Sequence, residues 1–275
     1  MNWNKAKSIL LICFMLIDLV LLTMYVKKTK ESTKDLSMDK ADVVEILEGQ
    51  GIKVDEKELK EGGEYKGYIL KYYDFDLDKI NKNFFNGEAE LDDRYDLKLL
   101  IKDEKSVSLS QGTLFSYMDA SEIEKYPDMN LEKAVKLAND FMKEKELLVR
   151  GTTFDGAYKD EDSYQVHFAI KYEGKYLENS FINFTIDKRG VRRVDAMCLE
   201  YINTEDEDFT LDAVKDKILS IIDKPEVKGK SIDRVDMCYF IDQVTLDQAS
   251  ELKITRLRAV PHWRITFKDG YKMIL

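Results

Sequence analysis

The apolar residues of this chain form one long continuous run near its start and shorter periodic segments after it. From Ser8 to Val26, 16 of 19 residues are apolar. A helix of this length extends about 28 Å, which matches the hydrocarbon thickness of a bilayer. No small-residue cleavage site follows the run, so we expect a retained transmembrane helix rather than a cleaved signal peptide.

One acidic residue, Asp18, lies near the middle of this predicted span, where an acid costs about 2.5–3.5 kcal/mol. Two interpretations stay open: a strongly apolar span tolerates one acid, or the acid faces a partner. In a helix, Asp18 shares its face with Leu11, Phe14, Leu22 and Tyr25. We predict that this face contacts another transmembrane helix.

Three segments beyond the span have the spacing of amphipathic helices. The stretch "SMDKADVVEILEGQG" predicts a helix capped by Ser37 that ends at Gly49 or Gly51. A second helix is predicted after the capping residue Asn130, and a third after the capping residue Thr210. Their predicted buried faces are Leu131, Ala134, Val135, Ala138, Phe141 and Met142 in the second, and Leu211, Val214, Ile218 and Ile221 in the third.

Other segments alternate between apolar and polar residues, as strands do. In "YQVHFAIKY" the residues from Tyr164 to Tyr172 alternate strictly, and "FINFTIDKRGVRRVDAMCLEYI" predicts two strands about a turn at Gly190. Near the end, Trp263, Ile265 and Phe267 alternate before a "KDG" turn, which predicts a hairpin. The acidic stretch "NTEDED" at 203–208 is interpreted as a linker. Helices followed by antiparallel strands predict an α+β fold with helices packed on one sheet face.

These patterns divide the chain into a short N-terminus, a span, a linker and two α+β subdomains. The predicted segments are 1–7, 8–26, 27–36, 37–126 and 127–275.

Composition narrows the classes of partner. A hydrophobic content of 44% with only three prolines is typical of a folded chain, and the net charge is -10. An acidic balance argues against binding to nucleic acid and against a body lying flat on anionic lipid. Beyond the cysteine of the span, Cys198 and Cys238 are the remaining pair, and we favour two separate buried thiols over one disulfide.

No catalytic or metal-binding signature is found. His167 and His262 lie 95 positions apart. The calcium-loop-like stretch "DFDLDKINKNFF" has Lys79 where the loop needs glycine and Phe85 where it needs glutamate. We therefore predict no catalytic residue, no metal, no cofactor and no enzymatic activity; acids converging with an arginine in a pocket would favour an enzyme instead.

The N-terminal stretch "MNWNKAKSILLICFMLIDLVLL" and the late stretch "PHWRITFKDG", with Pro261, Trp263 and Arg264, resemble the YycI family. Members of that family are membrane-bound regulators of the WalK (YycG) sensor histidine kinase. The resemblance implies a single-pass protein of the cell membrane with a cytoplasmic N-terminus and an extracytoplasmic main domain. Charges flanking the span instead mildly favour a cytoplasmic main domain, although this signal is weak for a long domain.

The resemblance also implies a function. It is the non-enzymatic control of a WalK-like kinase of a two-component system that regulates cell-wall metabolism, through transmembrane helix contacts, together with a YycH-like sister protein. The lipid bilayer is contacted by one helix only. The alternative function is an anchored extracytoplasmic receptor that binds a peptide or a cell-wall fragment and uses the span only as a tether.

Overall fold

The computed structural model describes residues 17–18, 21, 38–94, 97–242 and 256–275. Within the predicted span, Ile17, Asp18 and Leu21 are described, and each is helical and exposed. The other four residues of the predicted contact face, Leu11, Phe14, Leu22 and Tyr25, lie outside the described residues. Across the described ranges, no helix has the length and apolar character needed to cross a bilayer. The span and its contact face stay predictions.

Beyond the predicted span, the described residues form four α-helices, three short 3-10 helices and thirteen strands. The α-helices are α1 (Lys40–Gly49), α2 (Leu77–Phe85), α3 (Leu131–Glu144) and α4 (Val214–Lys217). The 3-10 helices cover Glu56–Glu58, Ile218–Ile221 and Pro225–Val227. The strands are β1 (Gly63–Tyr72), β2 (Glu90–Arg94), β3 (Leu97–Lys102), β4 (Lys105–Ser110), β5 (Leu114–Asp119), β6 (Thr152–Asp160), β7 (Ser163–Tyr172), β8 (Lys175–Asp187), β9 (Gly190–Met197), β10 (Leu199–Leu211), β11 (Ile232–Phe240), β12 (Leu257–Phe267) and β13 (Lys272–Ile274).

All thirteen strands belong to one sheet with the order β10-β1-β12-β11-β8-β9-β5-β4-β3-β2. Off this order, β13 pairs with β12, β7 pairs with β8, and β6 pairs with β7. Neighbouring strands are antiparallel except β11 and β8. This arrangement confirms the predicted α+β class. Strands from both sides of the predicted boundary at 126 pair directly, since β1 lies between β10 and β12 and β5 pairs with β9. The division into two subdomains stays a prediction.

One face of the sheet carries two apolar cores. The larger core lies under α2 and α3 and includes Phe85, Ala138 and Met142 from these helices. The smaller core lies under α1 and α4 and includes Leu47 and Val214. Met237 on β11 packs against both cores, so they are continuous. The helices therefore cover the apolar side chains of the sheet from one side.

Several elements agree closely with the sequence pattern. Helix α3 follows Asn130, whose side chain accepts a hydrogen bond of 2.9 Å from the Lys133 backbone N–H. Strand β7 buries Val166, Phe168 and Ile170 from its alternating set, while the tyrosines at its two ends are half-buried. The β8–β9 turn precedes Gly190, and the β12–β13 hairpin forms as predicted. Cys198 and Cys238 are free and buried, which confirms the expectation of two separate thiols.

Two predicted helix caps were wrong. Helix α1 is capped by Asp39, whose side chain accepts a hydrogen bond of 2.7 Å from the Lys40 backbone N–H. The predicted cap, Ser37, lies outside the described residues. Thr210 lies within β10, and α4 begins only at Val214. The predicted buried residues of that segment are nevertheless all buried: Leu211, Val214, Ile218 and Ile221.

The linker predicted at 203–208 was also wrong, because these acidic residues lie in strand β10. Among the described strands, β10 is at the end of the sheet and pairs with β1 alone. Its acidic side chains therefore reach solvent or nearby cations while its backbone is hydrogen-bonded. Glu205, for example, accepts a hydrogen bond of 2.7 Å from Arg258.

Candidate functional site

Strand β12 is buried on both faces over its last five residues. Trp263, Ile265 and Phe267 point into the smaller apolar core. Arg264 and Thr266 point to the opposite face, and only 1% of Arg264 is exposed. Because an arginine cannot lose its charge, it is buried at this depth only where acidic partners surround it.

Arg264 has three close contacts. Its Nη2 donates to Oδ2 of Asp155 at 2.5 Å, and its Nε lies 2.8 Å from Oε2 of Glu178 as an ion pair. Its guanidinium carbon lies 4.0 Å from the ring centroid of Tyr176, which is a cation–π distance. Nε and Nη1 have no hydrogen-bond partner among the described residues, so the contact of Nε with Glu178 is purely ionic.

A β-bulge places Asp155 in this cluster. In the β6–β7 ladder, Phe154 pairs with Phe168 and Gly156 pairs with His167, so Asp155 has no residue opposite it. Gly156 adopts φ +147°, a backbone conformation that favours glycine. The bulge leaves the Asp155 side chain 2% exposed, in contact with Arg264, Lys272 and Arg234.

A second irregularity places Glu178. The β7–β8 register shifts between the pairs Ala169–Phe181 and Ile170–Leu177, and Glu178, Asn179 and Ser180 lie in the shift. Asn179 exchanges two hydrogen bonds with the backbone of Ile241, at 2.8 and 3.0 Å. Ser180 accepts a hydrogen bond of 2.9 Å from the Leu199 backbone N–H. This shift therefore fixes β8 to its neighbours while it directs Glu178 toward Arg264.

We call Asp155, Glu178, Arg234, Arg264 and Lys272 the polar cluster. Burial alone would raise the pKa of Asp155, but the hydrogen bonds and charges of Arg264 and Lys272 outweigh it and lower the pKa. Burial raises the pKa of Glu178, and attraction to Arg264 and Lys272 offsets this only in part. The two carboxyl groups therefore differ in character: Asp155 is held as an anion, and Glu178 is the more easily protonated group.

The polar cluster connects strands that are distant along the chain. Asp155 on β6 binds Arg234 on β11, Arg264 on β12 and Lys272 on β13. Acids do converge with arginine here, the pattern that would favour an enzyme. However, Asp155 and Arg264 are closed off from solvent, with side chains 2% and 1% exposed. A substrate cannot reach them without separation of the strands, so this geometry supports a structural role.

The histidines considered as ligands lie apart from each other. His167 Nδ1 lies 2.7 Å from Oδ1 of Asn183, and burial lowers the pKa of His167. His262 Nδ1 lies 3.2 Å from the Val260 carbonyl oxygen. The calcium-loop-like stretch forms helix α2, which Asp76 caps. In the part of the chain that is described, no group of three or more metal-binding side chains is found.

Sequence reasoning missed four members of the polar cluster: Asp155, Glu178, Arg234 and Lys272. The sequence contained two signals for the polar cluster. Asp155 and Gly156 interrupt a strand with the dipeptide that typically marks a turn or a bulge, and Arg264 interrupts a buried run. Neither signal states which acid meets which arginine.

The solved structures that are similar to this chain include the following three proteins. YycH from Bacillus subtilis matches with a TM-score of 0.52 and 10% identity, over 78% of this chain and 52% of that structure. This chain thus spans about half the length of that YycH structure, and the likeness shows a shared fold. An uncharacterized protein from Eubacterium rectale matches with a TM-score of 0.48 and 13% identity, over 77% of this chain and 82% of the other. The YpeB C-terminal domain of Bacillus megaterium matches with a TM-score of 0.42 and 10% identity, over 74% of this chain and 92% of the other.

Curated protein sequences gave no match to the chain. The family model described as "YycI protein" matches residues 30–273. This range includes α1 to α4, β1 to β12 and the polar cluster, and it ends within β13. Since the match covers most of the 275 residues, the chain belongs to the YycI family.

Proposed function

We propose that this protein is a non-enzymatic, membrane-anchored regulator of a WalK-like sensor histidine kinase in a two-component system. Its predicted span at 8–26 anchors it in the cell membrane, with the N-terminus in the cytoplasm and the α+β domain outside. Its partners are the kinase and a YycH-like sister protein.

The family match carries this proposal. Membership in the YycI family and the fold shared with YycH fit a regulatory role in a two-component system. The match begins at residue 30, shortly after the predicted span. The extensive sheet and its buried polar cluster support a stable body.

The proposed mechanism operates within the membrane. The face formed by Leu11, Phe14, Asp18, Leu22 and Tyr25 packs against kinase helices, and Asp18 makes a hydrogen bond across the contact. Regulation requires only that the free energy of this contact differ between two kinase states. A difference of about 1–3 kcal/mol is enough to shift the states several-fold.

The test exchanges the acid between two helix faces. The double variant Asp18→Val with Val20→Asp keeps the composition of the span but turns the acid by about 200° around the helix. We expect less kinase to co-purify with the double variant from membranes, and kinase output in cells to change. Its matched control is Asp18→Asn, which keeps a polar hydrogen-bonding group on the original face and should retain more kinase.

Equal recovery of the kinase with all three proteins, together with unchanged kinase output, would remove Asp18 from the mechanism. A chimera with an unrelated span tests the alternative of an anchored receptor. If the chimera retains full regulation, the span is only a tether and the outer domain is the part that acts.

A further inference from the structure

Strands β2, β3, β4, β5 and β9 expose one face that no helix of the described chain covers. Residues paired across neighbouring antiparallel strands point to the same face of a sheet. The register defines three rows on this face. The rows are Glu90, Ile101, Ser106, Met118 and Arg193; Asp92, Leu99, Ser108, Ser116 and Asp195; and Leu97, Ser110, Leu114 and Met197.

This outer face is unusually apolar for a solvated sheet surface. Leu97 and Leu114 are each 39% exposed, Ile101 is 44% exposed and Met118 is 51% exposed. Together these four side chains present on the order of 300 Å² of apolar surface, comparable to the largest patch on a typical monomer. In β3 the apolar residues Leu97 and Ile101 point outward with Leu99 between them, while Leu100 alone is buried on the inner side.

We propose that this outer face is an interface with a second copy of the chain, related by a two-fold axis that runs along β4. Such an axis keeps each residue in its row and exchanges β3 with β5 and β2 with β9. Leu97 then faces Leu114 of the other copy, and Ile101 faces Met118. Ser108 faces itself, and its small side chain allows two sheets to approach to about 10 Å.

The charges at the rim agree with this arrangement. The same axis places Glu90 of one copy opposite Arg193 of the other. In the middle row, Asp92 of one copy lies opposite Asp195 of the other. The charge of Asp195 is already balanced within its own copy, because Arg193 Nε pairs with it at 2.6 Å and the Ser116 hydroxyl donates a hydrogen bond to it at 2.8 Å. Apolar side chains on β3 and β5 flank a central column of serines on β4, and charged residues lie at the rim, as is usual in protein interfaces. Arg193 is the one basic side chain in the three described rows, whereas a surface that binds anionic lipid carries several.

The test is cysteine crosslinking of the full-length protein in its membrane. The background carries Cys13→Ser; Cys198 and Cys238 stay, because both are buried. Ser108→Cys lies on the proposed axis, and a bis-maleimide about 10 Å long should link two copies across facing sheets. We expect a covalent species of twice the monomer mass. Asn203→Cys, exposed on β10 at the other end of the sheet order, is the matched control and should stay monomeric.

Substitutions on the face then test its geometry. Adding Met118→Asp should lower the crosslinked fraction at least tenfold. Glu90→Arg should also lower it, and the charge exchange Glu90→Arg with Arg193→Glu should restore it. The proposal is overturned if Ser108→Cys gives no self-crosslink, if Met118→Asp leaves the yield unchanged, or if the crosslink joins a protein of different mass, which would identify the sister protein as the occupant.

This inference does not depend on the proposed regulation of a kinase. Loss of the self-crosslink with intact kinase recovery would reject the interface alone. Loss of kinase recovery in the span variants with an intact self-crosslink would reject the proposed function alone.

Discussion

Arg264 and Asp155 are 109 residues apart in the sequence, yet the guanidinium Nη2 of Arg264 lies 2.5 Å from the carboxylate Oδ2 of Asp155. Both side chains are almost fully buried. Their contact joins β12 to β6, a strand at the margin of the sheet that pairs with β7 alone among the described strands. This buried ion pair therefore links two distant parts of the fold.

Replacing Arg264 with methionine is expected to destabilise the protein strongly. The substitution removes the guanidinium beside Glu178 and one of the three cations that contact Asp155. Breaking a buried ion pair from one side costs about 3–5 kcal/mol. Arg264→Lys should cost less, because the charge is kept but only one of the two carboxylates can be reached well. Urea denaturation of the purified full-length protein measures the free energy of unfolding.

Arg193→Met is the matched control for this prediction. Arg193 also pairs with an aspartate, but its side chain is 54% exposed. Exposed pairs contribute about 0–1 kcal/mol, so this variant should unfold near the wild-type midpoint. Similar losses for the two variants would contradict the importance assigned to the buried cluster.

The bulge at Gly156 gives a second prediction. A Cβ at this position meets no atom within 4 Å, so any cost of Gly156→Ala comes from the backbone. At φ +147° we expect a loss of about 1–3 kcal/mol, or a shift of the bulge that withdraws Asp155 from its partners. Gly49→Ala, in helix α1 where the added Cβ also has open space, should be neutral or stabilising. Equal stability of both variants would show that the bulge does not need glycine.

Glu178 gives a prediction about pH. Its pKa in the folded protein is raised above the ordinary value of 4.5 by burial. Between pH 4.5 and the raised pKa, the folded protein holds a proton that the unfolded chain has released. The free energy of unfolding therefore falls as the pH rises through this window. Glu178→Gln should remove that decline. Unfolding free energies from pH 4 to 8 measure it, with Asp208→Asn on β10 as the exposed control.

The pKa of Asp155 is shifted in the opposite direction, so its effect on the pH dependence of stability has the opposite sign. Its pKa is lowered from 3.8, so its contribution to stability is present above that value and is lost as the pH falls toward the lowered pKa. Asp155→Asn should therefore weaken the loss of stability in acid, in addition to lowering stability at neutral pH. An acid limb unchanged in Asp155→Asn would contradict this assignment.

Local patterns were sufficient for much of the fold and insufficient for the polar cluster. Helix α3 and strand β7 followed from apolar spacing, because each buries one face against a core. The acidic stretch at 203–208 was misinterpreted because its polarity reflects the edge position of β10, which depends on the order of strands in the whole sheet. The caps of α1 and of the segment at α4 were misplaced by a few residues, as is common at helix ends.

The polar cluster depends on contacts that local patterns do not determine. Asp155 and Glu178 reach Arg264 only because two ladders shift register, at Gly156 and at Glu178–Ser180. The outer face likewise depends on strand pairing that local patterns do not determine. In β3, alternation identifies Leu97, Leu99 and Ile101 as one face, but only the sheet register shows that this face points away from the helices.

Photocrosslinking from each position of the predicted span in living cells tests the central claim most directly. We expect crosslinks to the kinase at Leu11, Phe14, Asp18, Leu22 and Tyr25, with weak or no crosslinks at positions on the opposite face such as Leu16 and Val20. This helical period would identify partner, face and orientation together. Absence of kinase from the crosslinks, or equal crosslinking around the whole helix, would contradict regulation through this face.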